Sequence, residues 1–125
     1  MKLKTFKNEL KELAEVYGDY TIKAFMENED GTNECDDFRL EDCDYSSFNG
    51  VEIKCSTNAL GFKSYTLQEL ANELAEIIED NIFVVDGNVI FTTDEGGGCD
   101  WWITNEYIEF DADDETKTFI IKGSN

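Results

Sequence analysis

Near the start of the chain, Leu3, Phe6, Leu10, Leu13 and Tyr17 recur at three- and four-residue steps. That spacing lays them along one stripe of a helix with 3.6 residues per turn. Gly18 follows the stripe and is placed to stop the helix. The exposed flank carries Lys4, Lys7 and Lys11. A second helix is marked by its N-terminal chemistry as well as its period. Thr66 and Glu69 have the spacing of a capping box, Tyr65 and Leu70 that of a hydrophobic staple, and Leu67, Leu70, Leu74 and Ile78 form the buried face.

Between and after the helices the period falls to two, the signature of half-buried strands. "YTIKAFME" (20–27), "DFRLED" (37–42) and "VEIKC" (51–55) alternate in this way, and "NEDGTNE" (28–34) reads as a polar turn. "IFVVDGNVIFTT" (82–93) has the form of a hairpin with Asp86-Gly87 at its turn, where both residues tolerate positive φ. "WWITNEYIEF" (101–110) and "TFIIK" (118–122) read as two closing strands joined by the acidic loop 111–117. The expected architecture is one α+β domain over residues 1–125. It has two helices and an antiparallel sheet of six to seven strands, in the order α-β-β-β-α-β-β-β-β, with no interior linker or repeat.

Composition excludes wholesale disorder. Disordered acidic chains are poor in aromatics and rich in proline, whereas this one has nine Phe, five Tyr, two Trp and no Pro. Charge interrupts every apolar pair near the N-terminus, and no run approaches the roughly 18 apolar residues of a membrane span. A soluble, cytoplasmic protein is expected. Cys35, Cys43, Cys55 and Cys99 are spaced too irregularly for zinc knuckles and have no His to assist them, so they read as reduced, mostly buried thiols.

Charge changes the picture most. The net charge is −19, and it is concentrated. Residues 27–44 hold nine acids and one base, Arg39; residues 94–115 hold nine acids and no base. Solubility alone asks for a net charge of about 2 to 8 in magnitude. Halophilic adaptation spreads acid over the whole surface, whereas here lysines stay plentiful outside the two segments. In the second helix, Glu69/Glu73 and Glu76/Asp80 are like-charge pairs four apart, each unfavourable by roughly 0.2 to 0.5 kcal/mol, and Glu79 and Asp80 stand at the end where the helix dipole prefers cations. Either these acids are tolerated for a purpose beyond stability, or they are a solvated face whose counter-charges come from elsewhere in the fold.

Catalysis finds no support. Without His, Ser-His and Cys-His pairings are excluded, and no Ser lies in a Gly-x-Ser-x-Gly setting. Gly96-Gly97-Gly98 lacks the Lys-Ser/Thr of a phosphate loop and reads as an inter-strand turn. Acids are too abundant for any carboxylate pair to be diagnostic of glycoside hydrolysis. "DADDE" (111–115) resembles the opening of a calcium loop but lacks the glycine at the sixth position and the bidentate Glu at the twelfth. No catalytic residue, cofactor or dedicated metal site is expected.

Binding through charge is the reading that remains. Carboxylates at i and i+2 on a strand lie about 6.6 to 6.8 Å apart, and those one helical turn apart about 5 to 6 Å, similar to phosphates along a nucleic-acid strand. Glu109 with Asp111, and Glu69 with Glu73 and Glu76, have these relations. The expected partner-binding surface has two parts: Asp36, Asp37, Glu41, Asp42 and Asp44, and then Glu106, Glu109, Asp111, Asp113, Asp114 and Glu115. Trp101 and Trp102, with Tyr107 and Phe110, are either anchors within it or core residues.

Small size, acidity, an α+β hairpin build and a lysine-bearing last strand, "TFIIKGSN", resemble those of acidic phage anti-defence proteins, above all the anti-CRISPR inhibitors that imitate DNA. The resemblance implies a non-enzymatic inhibitor in the host cytoplasm, docking on the basic cleft of a CRISPR effector or similar defence nuclease. It implies no direct binding of nucleic acid and no membrane. Immunity proteins that neutralise nuclease toxins would use the same physics. A phage or cellular assembly protein using Trp101 and Trp102 is the alternative of a different class.

Overall fold

The computed structural model describes residues 2–28, 31–44, 49–56, 60–81, 86–94, 100–104 and 107–124. Helix α1 (Leu3–Tyr17) is followed by β1 (Thr21–Asn28), β2 (Gly31–Cys35), β3 (Asp37–Asp44) and β4 (Asn49–Ser56). Helix α2 (Leu67–Asp80) then leads into β5 (Asn88–Asp94), β6 (Asp100–Thr104), β7 (Tyr107–Asp113) and β8 (Thr118–Ser124).

The α+β class is as expected, but the sheet is not single and not purely antiparallel. Two four-stranded sheets form, in the orders β2-β1-β8-β7 and β3-β4-β5-β6. Each consists of two antiparallel pairs joined at its centre by a parallel pair, β1 with β8 and β4 with β5. The first and last strands of the chain thus make one sheet and the middle four the other. A parallel pair needs a long crossover, and residues 57–87, with α2 among them, supply it between β4 and β5.

Three boundaries differ from expectation. The polar stretch 28–34 contains most of β2, an edge strand that pairs only with β1 and so needs little apolar sequence. Residues 101–104 and 107–110 belong to two strands, β6 and β7, that lie in different sheets. Asp111 and Asp113 are on β7 rather than in a loop, leaving 114–117 as the turn. The Asp86-Gly87 turn does not close a hairpin in the sheet, because β5 has β4 on one side and β6 on the other; the expected first arm, 82–85, lies outside the described residues. Gly87 is needed for proximity rather than for positive φ: a Cβ there would meet the Asn49 carbonyl oxygen at 2.3 Å.

One core joins everything. Ile22, Ala24 and Met26 of β1, Phe119 and Ile121 of β8, and Val51, Ile53, Val89 and Phe91 of the second sheet are buried with the helix stripes. Phe6 of α1 packs edge-on against Phe91, with ring centroids 5.9 Å apart, and at a tilt against Phe110 of β7, at 6.0 Å, so one ring packs against both sheets. Leu3, Phe6, Leu10 and Ala14 carry the buried face of α1, with Leu13 and Tyr17 at its margin. Helix α1 ends with Gly18 in right-handed geometry rather than the left-handed stop, and a Cβ at Gly18 would meet the Ala14 carbonyl at 2.6 Å. Its carbonyl accepts from the Gln68 amide at 2.9 Å, fastening the end of α1 to the start of α2. The capping box of α2 is complete: Thr66 Oγ1 accepts from the Glu69 amide and Glu69 Oε1 from the Thr66 amide. Cys35, Cys43 and Cys55 are free and buried; Cys99 lies outside the described residues. Among the described residues no helix is long and apolar enough to cross a membrane.

Candidate partner-binding surface

The first acidic group falls on the crossing between the sheets and on the edge strand β3. Alternation along β3 splits it: Glu41 stands opposite Glu52 on one face, while Asp42 stands opposite Val51 on the other. Glu41 lies between two cations, 3.3 Å from Arg39 Nε and 3.2 Å from Lys54 Nζ. Asp36, between β2 and β3, is 3.7 Å from Lys23 Nζ, which also binds Glu34 at 2.6 Å. Hydrogen bonding to Glu34, and then the charges of Asp36 and Glu34, hold the Lys23 ammonium above its ordinary range. Asp37, the first residue of β3, is half-buried opposite Ser56. Asp44 ends β3 opposite Asn49, and its side chain lies outside the described residues. Among its described side chains this group therefore forms no continuous anionic face: Glu41 and Asp42 point to opposite faces of β3, and Lys23, Arg39 and Lys54 meet the charges of Asp36 and Glu41.

The second group behaves differently. Glu109, Asp111 and Asp113 alternate along the edge strand β7 and share one face, while Ile108 and Phe110 turn toward the core. Opposite them on β8 stand Lys122, Ile120 and Thr118. Glu109 and Asp111 are exposed, as are Asp114 and Glu115 in the turn beyond. Among the described residues no lysine or arginine lies within ion-pair distance of any of these five acids. Two of them hold the turn: Asp113 Oδ1 accepts from the Glu115 amide at 3.1 Å, and Asp114 Oδ1 accepts from the Tyr20 hydroxyl at 2.7 Å. The hydrogen bond to Asp114 is the main cause that pushes the Tyr20 phenol up to about 12. Asp19 joins the same corner, 3.8 Å from Lys117, and nothing in its sequence neighbourhood signals that. Glu106 lies outside the described residues, as do the side chains of Trp101, Trp102 and Tyr107. Phe110 is a core ring, 5.7 Å from Phe119, rather than an anchor.

Asp37, Glu41, Asp42 and Asp44 lie on β3 in the second sheet, and of the first group only Asp36, in the crossing, adjoins the first sheet, whose two edges are β2 and β7. Two strands lie between, which separates the edges by about 14 Å. The strip between them carries Lys23 of β1 and Lys122 of β8.

Helix α2 explains part of its own acidity. Glu69 is used by the capping box, which holds its carboxyl below the usual range chiefly through the Thr66 amide. Glu73 accepts a hydrogen bond from the Tyr65 hydroxyl, and burial, followed by that bond, pushes the Tyr65 phenol well up. Glu76, Glu79 and Asp80 are exposed, with no basic residue in the last turn. Two surface grooves, of about 280 and 320 Å³, are lined by Glu9, Glu12, Leu13 and Val16 and by Lys2, Lys4, Thr5, Asp86 and Gly87. Neither includes any residue of the two acidic groups. Comparison with family models, curated proteins and solved structures finds no match to this chain.

Proposed function

We propose that this protein is a non-enzymatic inhibitor that binds a basic, nucleic-acid-binding protein and blocks access of nucleic acid by presenting DNA-like charge. A defence nuclease such as a CRISPR effector is the partner type, and a nuclease toxin is the variant of the same reading. The observation that carries it is the row Glu109–Asp111–Asp113 on an edge strand, continued by Asp114 and Glu115. These five carboxylates lack an internal cation among the described residues. Carboxylates two apart on a strand sit about 6.6 to 6.8 Å from one another, a spacing that suits a groove lined with Lys and Arg for phosphates. The first acidic group contributes less, because Lys23 already pairs with Asp36 and Arg39 and Lys54 with Glu41.

Capture of partners from a host lysate at low salt, followed by competition with duplex DNA, tests this. The expected result is a basic nucleic-acid-binding protein that DNA displaces and that elutes as salt rises. A partner held equally well at high salt and insensitive to DNA would instead indicate an assembly protein using an apolar surface.

A further inference from the structure

Cys35 is the last residue of β2, on the edge of the first sheet, and Cys55 lies on β4, inside the second. The two strands pack against each other, which brings the cysteines together in the shared core at 4% and 1% exposure. The Asp36 amide, next to Cys35, donates to the Ser56 carbonyl, next to Cys55, at 3.2 Å, so the backbone holds the two positions side by side, and the Cys55 thiol points toward the Ile53 carbonyl at 3.6 Å. Among the described residues no group of three or more His, Cys, Asp or Glu is arranged to hold a metal. A pair of buried thiols held at neighbouring positions has one characteristic reaction, which is two-electron oxidation to a disulfide.

We infer that Cys35 and Cys55 are a dithiol site that closes into a disulfide between the two sheets when the protein meets a small disulfide oxidant of the glutathione type. The pair is unequal. Hydrogen bonding from Cys55 holds the Cys35 thiol below its ordinary range, while burial pushes Cys55 well above it. Cys35 is therefore the thiol that ionises first and attacks. It also ends an edge strand that is paired on one side only, so opening of β2 exposes it before Cys55. The Cys35 thiolate displaces one glutathione thiolate and forms a mixed disulfide. Cys55 then attacks Cys35 Sγ, loses its proton, and releases the second glutathione. Two protein thiols and one oxidised glutathione become one protein disulfide and two reduced glutathiones.

The closed loop would run from residue 35 to residue 55 and enclose all of β3, with Asp36, Asp37, Glu41 and Asp42. Oxidation would thereby tie the first acidic group to the body of the fold. This inference does not rest on the proposed inhibitor function.

The test equilibrates the full chain in glutathione buffers of increasing oxidised fraction, unfolds it, alkylates free thiols and maps the products by mass spectrometry. The expected product is two hydrogens lighter, with Cys35 and Cys55 in one cross-linked peptide. Its thermal midpoint rises by roughly 10 °C. Cys35→Ser and Cys55→Ser each remove both the link and the shift. Alkylation of all four cysteines at every ratio, glutathione retained on Cys35, or a link through Cys43 or Cys99 overturns the inference. The mapping is done on the natural sequence, so the result does not depend on a variant folding.

Discussion

The Tyr20 hydroxyl donates a 2.7 Å hydrogen bond to Asp114 Oδ1, joining residues 94 positions apart. It fastens the turn after α1 to the turn between β7 and β8, and it fixes one end of the acid row. Because the phenol is raised from 10.0 to about 12, ionisation in the folded state is delayed relative to the unfolded chain. The bond's contribution is fully present below pH 10 and is lost as pH rises through about 12. Thermal unfolding followed between these limits should show a smaller drop for Tyr20→Phe than for the natural protein. Asp114→Asn should return the Tyr20 titration, read by tyrosinate absorbance, toward 10.

The capping box gives a local prediction. Thr66→Ala removes the side-chain acceptor for the Glu69 amide and should lower stability by about 1 kcal/mol in urea unfolding at neutral pH. Glu69 contributes with the opposite pH sense from Tyr20. Its carboxyl is depressed in the folded state, so its stabilisation is present above the unfolded value and is lost as pH falls through the folded one. Glu69→Gln keeps an acceptor that does not titrate, and its acid unfolding curve should be correspondingly less steep.

Glu52 is buried at 8% exposure, with its Oε2 accepting from Thr92 Oγ1 at 3.2 Å, on the face of the second sheet opposite Val51 and Ile53. Thr92→Val leaves that carboxyl without its donor and should cost about 1 to 3 kcal/mol. The double replacement Glu52→Met/Thr92→Val removes both partners and should recover most of the loss. Equal instability of the single and double variants in urea unfolding would mean that the hydrogen bond is not what the site contributes.

Partner binding separates the two acidic groups. Glu109→Gln/Asp111→Asn/Glu115→Gln avoids Asp113 and Asp114, whose carboxylates hold the turn. It should weaken binding of the captured partner by about tenfold or more at low salt and flatten its salt dependence. Glu41→Gln/Asp42→Asn should change affinity by less than about threefold, since local cations already meet the Glu41 charge. Thermal midpoints of both variants check that the fold is retained.

The sequence by itself determined the features that are local. A stripe at steps of three and four makes α1 from Leu3, Phe6 and Leu10 whatever else the chain does, and Thr66 with Glu69 starts α2 within four residues of backbone. Alternation likewise placed β1, β3 and β4 and turned Ile22 and Met26 inward. The excess of acid in two segments was also plain. Tertiary structure alone decided the pairings, because alternation says that a residue faces a sheet's inside or outside but carries no label for the neighbouring strand. Nothing in residues 21–28 indicates that β1 lies parallel to β8, or that residues 101–104 and 107–110 lie in different sheets. The acidic surface follows the same rule. Lys23 reaches Glu34 and Asp36 only after β1 and β2 pair, whereas Glu109, Asp111 and Asp113 share a face through their own spacing. Charge along a chain is fixed by composition, but whether it stays uncompensated depends on which cations folding brings within a few ångströms.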